Sequence, residues 1–141
     1  MLFRSAPLIA LLFANVAHAQ APYPTKPIRI IAPFTAGGPV DIAARILSQK
    51  LTESWGQQVI VENRAGASGT IGGDAVAKAP PDGYTVLLTS SAHVITPSIM
   101  TKVPYDPIRD FTPISVVMSS PLMLMITPSL PVNTEIGRAH V

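Results

Sequence analysis

Three times between residues 28 and 91 a short apolar run gives way to a loop of small residues, and after the first two loops a helical repeat begins. Residues 28–32 (Ile-Arg-Ile-Ile-Ala) have the β-branched content of a strand, and residues 59–62 and 84–89 repeat that character. Between them Val40, Ala43, Ala44, Leu47, Leu51 and Trp55 recur at steps of three and four, which puts one apolar stripe on a helix ending at Gly56. A second helix is predicted over residues 70–79, burying Ile71, Ala75 and Val76 and closed by Pro80 and Pro81. Strand, helix, strand, helix, strand is the order of an α/β chain with a parallel sheet and right-handed crossovers. The run at 84–89 is almost continuously apolar, as in a sheet covered on both faces. "PPDGY" before it is a turn. Residues 110–119 and 122–127 read as two further strands parted by Pro121.

Composition limits the function classes. A chain of 141 residues with 48% apolar content supports one domain with a real core. The 15 prolines fall mostly between apolar runs and act as punctuation. A net charge of +2, with four lysines and no basic run, gives no nucleic-acid footprint. Without cysteine, disulfides, thiolate catalysis and cysteine metal sites are excluded. Histidine occurs only at His18, His93 and His140, too few and too scattered for a metal site, and a cation site from Asp41 and Glu62 has nothing else to motivate it.

Both ends differ from the rest. Residues 1–19 combine Arg4, an apolar stretch over 6–14 and Ala17-His18-Ala19, the layout of a cleaved secretory signal peptide. A membrane anchor is the alternative, but the stretch is far shorter than the roughly 20 residues a spanning helix needs. No cysteine follows the cleavage site for lipid attachment, so a soluble, exported product is expected. At the other end "EIGRAHV", residues 135–141, does not continue the preceding pattern. Its codons can match the start of a common sequencing adapter, so residues 136–141 are expected to be translated read-through, with the natural reading frame continuing past Thr134. Resequencing the locus tests this, and a native stop codon after Val141 rejects it. With both ends removed, 8 basic and 7 acidic residues remain, a nearly neutral surface.

Ligands of open parallel sheets sit at the carboxyl ends of the strands, where the strand order reverses. Three loops are expected there: 33–39, 63–69, and 90 onward. Gly37 and Gly38 let a backbone approach a ligand closely, Pro39 suits the first helical position, and Asp41 can bond back to first-turn amides. A helix start offers unpaired N–H groups and about half a positive charge, so it favours an anion. The segment Asn63-Arg64-Ala65-Gly66-Ala67-Ser68-Gly69 repeats the arrangement at the second helix. Taken on spacing alone, both loops equally fit ordinary strand-to-helix connections, with Asp41 a helix cap and Arg64 a solvated charge.

Motifs in order carry a more specific reading. "YPTKPIR", "PFTAGGPVDIAAR", "VENRAGASGTIGG", "PPDGYT" and "YDPIRDFTPI", spread over residues 23–134, resemble the Bug-type extracytoplasmic solute receptors of tripartite tricarboxylate transporters. The resemblance implies a two-lobed periplasmic-binding-protein fold of the type II, Venus flytrap kind, present here only in part. It assigns residues 20–118 to the first lobe and 119–134 to the hinge and the start of the second. It also implies a periplasmic, non-enzymatic receptor that needs no cofactor or metal, captures a small carboxylate and delivers it to membrane permease subunits. Site residues implied are Phe34, Thr35, Ala36, Gly37, Gly38 and Asp41 in the first loop. The second loop adds Asn63, Gly66, Ala67, Ser68 and Gly69, with Ser68 where glycine is common in the family. Ser90 and Ser91 follow the third strand. A valine at Gly37 or Gly38 is expected to block the ligand.

Two rivals belong to other classes. Glu62 ends the second strand where a ribose-binding acid of an NAD(P)-type dinucleotide-binding oxidoreductase would sit, but "FTAGGPV" and "GASGTIGG" both fail the G-x-G-x-x-G spacing. A hydrolase could start from Ser90-Ser91-Ala92-His93, but there is no G-x-S-x-G elbow, and His93 reads as a loop or helix-start residue.

Overall fold

The computed structural model of the protein describes residues 23–121 together with 125 and 127. The predicted leader, the strand at 122–127 and the tail at 135–141 lie outside, or almost wholly outside, these residues. Strand β1 (Ile28–Ala32) leads to helix α1 (Pro39–Trp55), strand β2 (Val59–Asn63), a short turn (Ala67–Gly69), helix α2 (Thr70–Ala77), strand β3 (Thr85–Leu87) and helix α3 (Ala92–Ile99). The three strands form one parallel sheet in the order β2-β1-β3. Ile28 lies opposite Val59 and Ala32 opposite Asn63, while Ile31 lies opposite Leu87. The chain therefore leaves β1 in one direction to reach β2 and returns on the other side as β3. The strand order reverses at β1, where the predicted loops emerge.

Strand β1 is buried on both faces apart from Arg29, as a central strand should be, and α1 turns Asp41 and Ala44 inward; α2 buries Thr70, Gly72 and Gly73, while Ile71, expected inside, is exposed. Ile28 and Ile30 meet Ala44 of α1 and Val59 of β2, with Leu47, Leu51, Val61 and Val86 packed around them. Removing such an isoleucine side chain from water stabilises the fold by about 1.5–3 kcal/mol. Ile31 and Pro33 are fully buried on the central strand and just beyond it, and α2 packs against β1 and β3. Helix α1 ends where predicted, the Gly56 amide donating to the Thr52 carbonyl. Trp55 departs from the expected stripe: at the helix end it is 42% exposed and stands edge-on to Tyr23.

Other expectations need correction. Strand β3 is three residues long and half-buried, because it is an edge of the described sheet with a neighbour on one side only. Residues 110–119 form no strand: Ile114 and Val116 are exposed, and among the described residues no strand pairs with this segment. Apolar alternation cannot make a strand without a partner to take its hydrogen bonds. Helix α3 extends well beyond a helix start at His93, and Pro97 in its interior hides it from a sequence reading. The "PPDGY" turn forms as expected, with the Asp82 carboxylate accepting from the Tyr84 amide and the Tyr23 hydroxyl donating to the Gly83 carbonyl.

Candidate functional site: three loops at the carboxyl edge of the sheet

The first loop is organised by a buried carboxylate. Asp41, 3% exposed in the first turn of α1, accepts at Oδ2 from the Gly37 amide (2.8 Å) and from Arg45 Nε (3.0 Å). At Oδ1 it accepts from Asn63 Nδ2 (2.9 Å). Asn63 also donates to the Phe34 carbonyl (3.3 Å), and its own Oδ1 accepts from Arg45 Nη2 (3.2 Å). The Arg45 guanidinium first, and then the Gly37 and Asn63 donors, hold the Asp41 carboxyl down at about 2. Asp41 thus reaches back to Gly37 and across to β2. It does not bond to the first-turn amides as predicted, because Gly38, with no side chain, occupies the cap position. Nor are both glycine amides free: Gly37 N is held by Asp41, and Gly38 N approaches the Thr35 carbonyl at 3.4 Å. Among the described residues the helix start instead leaves the Val40 and Asp41 amides without a backbone acceptor, since Pro39 has no N–H and Ile42 N bonds to Gly38 O.

The second loop is organised by its backbone. Gly66, Ala67, Ser68 and Gly69 all have positive φ, at 129°, 45°, 56° and 89°. Ala67 and Ser68 lie in the left-handed region, which costs a residue with a Cβ about 1–2 kcal/mol. The two glycines flank them, the Gly69 amide donates to the Gly66 carbonyl (2.9 Å), and the Thr70 hydroxyl donates to the Ala67 carbonyl (2.9 Å). Consecutive turn residues of this kind line up their amides into an anion-binding concavity. Composition marks the glycines, and the glycine common in the resembled family at Ser68 fits its positive φ, but nothing in the sequence marks Ala67. The two loops abut: a Cβ on Gly69 would stand 3.5 Å from Pro33 Cβ and 3.6 Å from Phe34 Cζ.

The third loop supplies Ser90 and Ser91 at the start of α3, both exposed. Ser90 Oγ accepts weakly from the Ala92 amide (3.4 Å), and the Ser90 carbonyl accepts from His93 N (3.0 Å). Helix α3 packs against the Ala67–Gly69 turn. Thr35, Ala36, Gly37, Gly66, Ala67, Ser68, Ser90 and Ser91 are exposed, all at the carboxyl edge of the sheet, while Phe34, Asp41 and Asn63 lie beneath or between them.

The residues behind the rival readings have other partners. Glu62 is bracketed by Arg29 Nη2 (2.5 Å) and Arg64 Nε (2.6 Å), which lower its pKa. Arg64 is therefore an ion-pair partner, and Glu62 is engaged by two cations. The His93 ring meets Tyr105, Phe111 and the Pro107 carbonyl, and among the described residues no serine hydroxyl bonds to it.

A parallel sheet in 2-1-3 order with loops gathered at its carboxyl edge matches part of a lobe in solved periplasmic binding proteins. The chain belongs to the tripartite tricarboxylate transporter family receptors, whose domain matches residues 43–137. Protein BugT of Bordetella pertussis is 46% identical over 130 residues, which cover 87% of this chain and 40% of BugT. The chain therefore spans about two fifths of that relative's length. Periplasmic binding protein BugD superposes with a TM-score of 0.60 at 43% identity, over 63% of this chain and 30% of its own. A protein of R. palustris solved with adipate gives a TM-score of 0.73 at 37% identity, over 84% and 40% of the two chains. MatC from Rhodopseudomonas palustris, with bound malate, gives 0.59 at 35% identity, over 64% and 31%. The dinucleotide reading gains no support from these matches. Among the described residues no helix is long and apolar enough to cross a membrane.

Proposed function

We propose that this chain carries the carboxylate-binding part of a periplasmic receptor, exported through a cleaved leader at 1–19, which delivers its solute to the membrane subunits of a tripartite tricarboxylate transporter. It acts by binding and closure, without catalysis, cofactor or metal. The observation that carries the reading is the convergence of a helix start with two unpaired amides and a left-handed turn at one sheet edge. Such groups stabilise a carboxylate without a charged partner. Relatives of the same fold hold adipate and malate, both carboxylates. Residues 119–134 then lead toward a second lobe, and closure of two lobes excludes water around the solute.

Titration calorimetry with adipate, malate and uncharged adipamide tests this. In a receptor extended to the length of its relatives, the two acids are expected to bind and the diamide is not. The 141-residue chain alone should bind the acids weakly or not at all, because one jaw leaves the carboxylate in water. Equal binding of acid and diamide by the extended receptor would refute the proposal.

A further inference from the structure

The second and third loops are held from behind by a group that the proposed function does not use. Tyr105 is 8% exposed, and its ring fills the space where Gly73 of α2 would carry a side chain: a Cβ there would lie 2.6 Å from Cε1, Cζ and Oη. The neighbouring Gly72 is filled in the same way by the first loop, a Cβ falling 2.7 Å from Pro33 Cβ and 2.9 Å from Pro33 Cα. Helix α2 is wedged between Pro33 and Tyr105. A close-packed helix with contacts on two sides has little freedom to slide or roll.

Tyr105 in turn holds α3. Its ring stacks on His93, the second residue of that helix, with centroids 5.4 Å apart and planes 15° apart. Tyr105 Oη lies 3.5 Å from His93 Nδ1. Phe111 stands edge-on to both, at 4.7 Å from His93 and 5.4 Å from Tyr105. It is brought back by a turn in which Asp106 Oδ1 accepts from the Ile108 and Arg109 amides while Asp110 Oδ2 accepts from the Asp106 amide. Burial lowers the His93 pKa, and burial with the nearby Asp74 carboxylate raises that of Tyr105, so both rings stack uncharged at neutral pH.

We propose that Tyr105, seated on Gly73 and stacked on His93, is a positioning residue that fixes the Ala67–Gly69 turn at the start of α2 relative to Ser90 and Ser91 at the start of α3. Its consequence for affinity rests on the carboxylate-receptor reading; its consequence for the geometry of the two loops does not. The ring carries the effect, and the hydroxyl contributes little at 3.5 Å.

The test compares Tyr105→Phe, Tyr105→Leu and Gly73→Ala in the full chain by amide hydrogen exchange. The reporting amides are those bonded in the two loops, Gly69, His93 and Ile95, and the reference amides are Arg29 of β1, bonded to the Tyr84 carbonyl, and Leu88 just past β3, bonded to the Ile31 carbonyl. Tyr105→Leu and Gly73→Ala are expected to speed exchange at the loop amides about tenfold with the sheet amides unchanged, while Tyr105→Phe restores the wild-type pattern. Unchanged loop exchange in both variants would overturn the proposal, as would equal acceleration at Arg29 and Leu88 in both, which would mark Tyr105 as ordinary core. If Tyr105→Leu unfolds the chain, Gly73→Ala decides alone. Adipate titration of the same variants in the extended receptor separates the two readings. Failure of the parent receptor to bind adipate counts against the receptor function, and the exchange pattern still decides the positioning role.

Discussion

The first and second loops leave neighbouring strands at matching ends, Ala32 lying opposite Asn63, yet they are built in different ways. Side chains shape the first: one buried carboxylate gathers the Gly37 amide, Arg45 and Asn63, and a single glycine takes the unusual backbone angle. In the second, the backbone shapes itself through four successive positive-φ residues, helped by one side-chain bond inside the turn, from Thr70. A loop can thus be held by charge-assisted bonds to a buried side chain, or by short bonds within a turn that offset the cost of its left-handed residues. The first kind answers to charge and pH, the second to the choice between glycine and larger residues.

The largest effect is expected from Asp41→Ala, which leaves Gly37, Arg45 and Asn63 without their shared acceptor. Losing charge-assisted bonds in a buried network should weaken carboxylate binding by roughly tenfold or more in the extended receptor. Calorimetry checks this, and near-wild-type affinity would show that the first loop holds its shape without its anchor. Acid should act on the same anchor less severely, since a protonated carboxyl still accepts a bond. The Asp41 pKa is depressed from 3.8 to about 2 on folding, so its contribution is complete above the unfolded value and is lost as pH falls through about 2. The Gly37 amide resonance should titrate in that window while those of Ala67 and Ser68 stay still. Joint movement of all three would erase the contrast between the loops.

Next in size is Gly37→Val. With φ at 83° and nothing within 4 Å of a Cβ, the substitution meets no clash, only conformational strain. A destabilisation of about 1–2 kcal/mol by urea unfolding is expected. Gly38→Val, grouped with it on sequence grounds, should cost less in stability: φ is −79° and ψ 168°, ordinary extended angles, with Thr35 O 3.4 Å from the new Cβ. Equal costs at the two positions would contradict this. The smallest effect is Ser68→Gly in the second loop, where relief of left-handed strain outweighs the extra backbone entropy and stabilises by about 0.5 kcal/mol. A loss of stability there would mean the turn is not strained.

Much of this is legible in the sequence. The strand at 28–32, the helix ending at Gly56 and the loops at 33–39 and 63–69 follow from local patterns, because apolar period and glycine placement act within a few residues. Asp41 was visible as a helix-start acid, but its partners were not. Asn63 is 22 residues away and reaches it only because β2 pairs in register with β1. The failure at 110–119 has the same origin, since alternation states which residues could share a sheet face and not whether a neighbouring strand is there to pair with. Tyr105 opens the motif "YDPIRDFTPI", but the motif does not say what the ring touches: a tyrosine beside a proline turn looks like surface until Gly73 is placed beneath it.

Local chemistry alone determined that this is an α/β chain with glycine-containing loops after its first two strands, since propensity, period and turn preference are properties of short segments. Only the folded chain decided which amides remain available, that Ala67 and Ser68 turn left-handed, and that an aromatic ring seats α2 against α3. Those outcomes depend on groups distant in sequence competing for the same hydrogen bonds and the same space, and that competition is settled only when the strands and helices pack together.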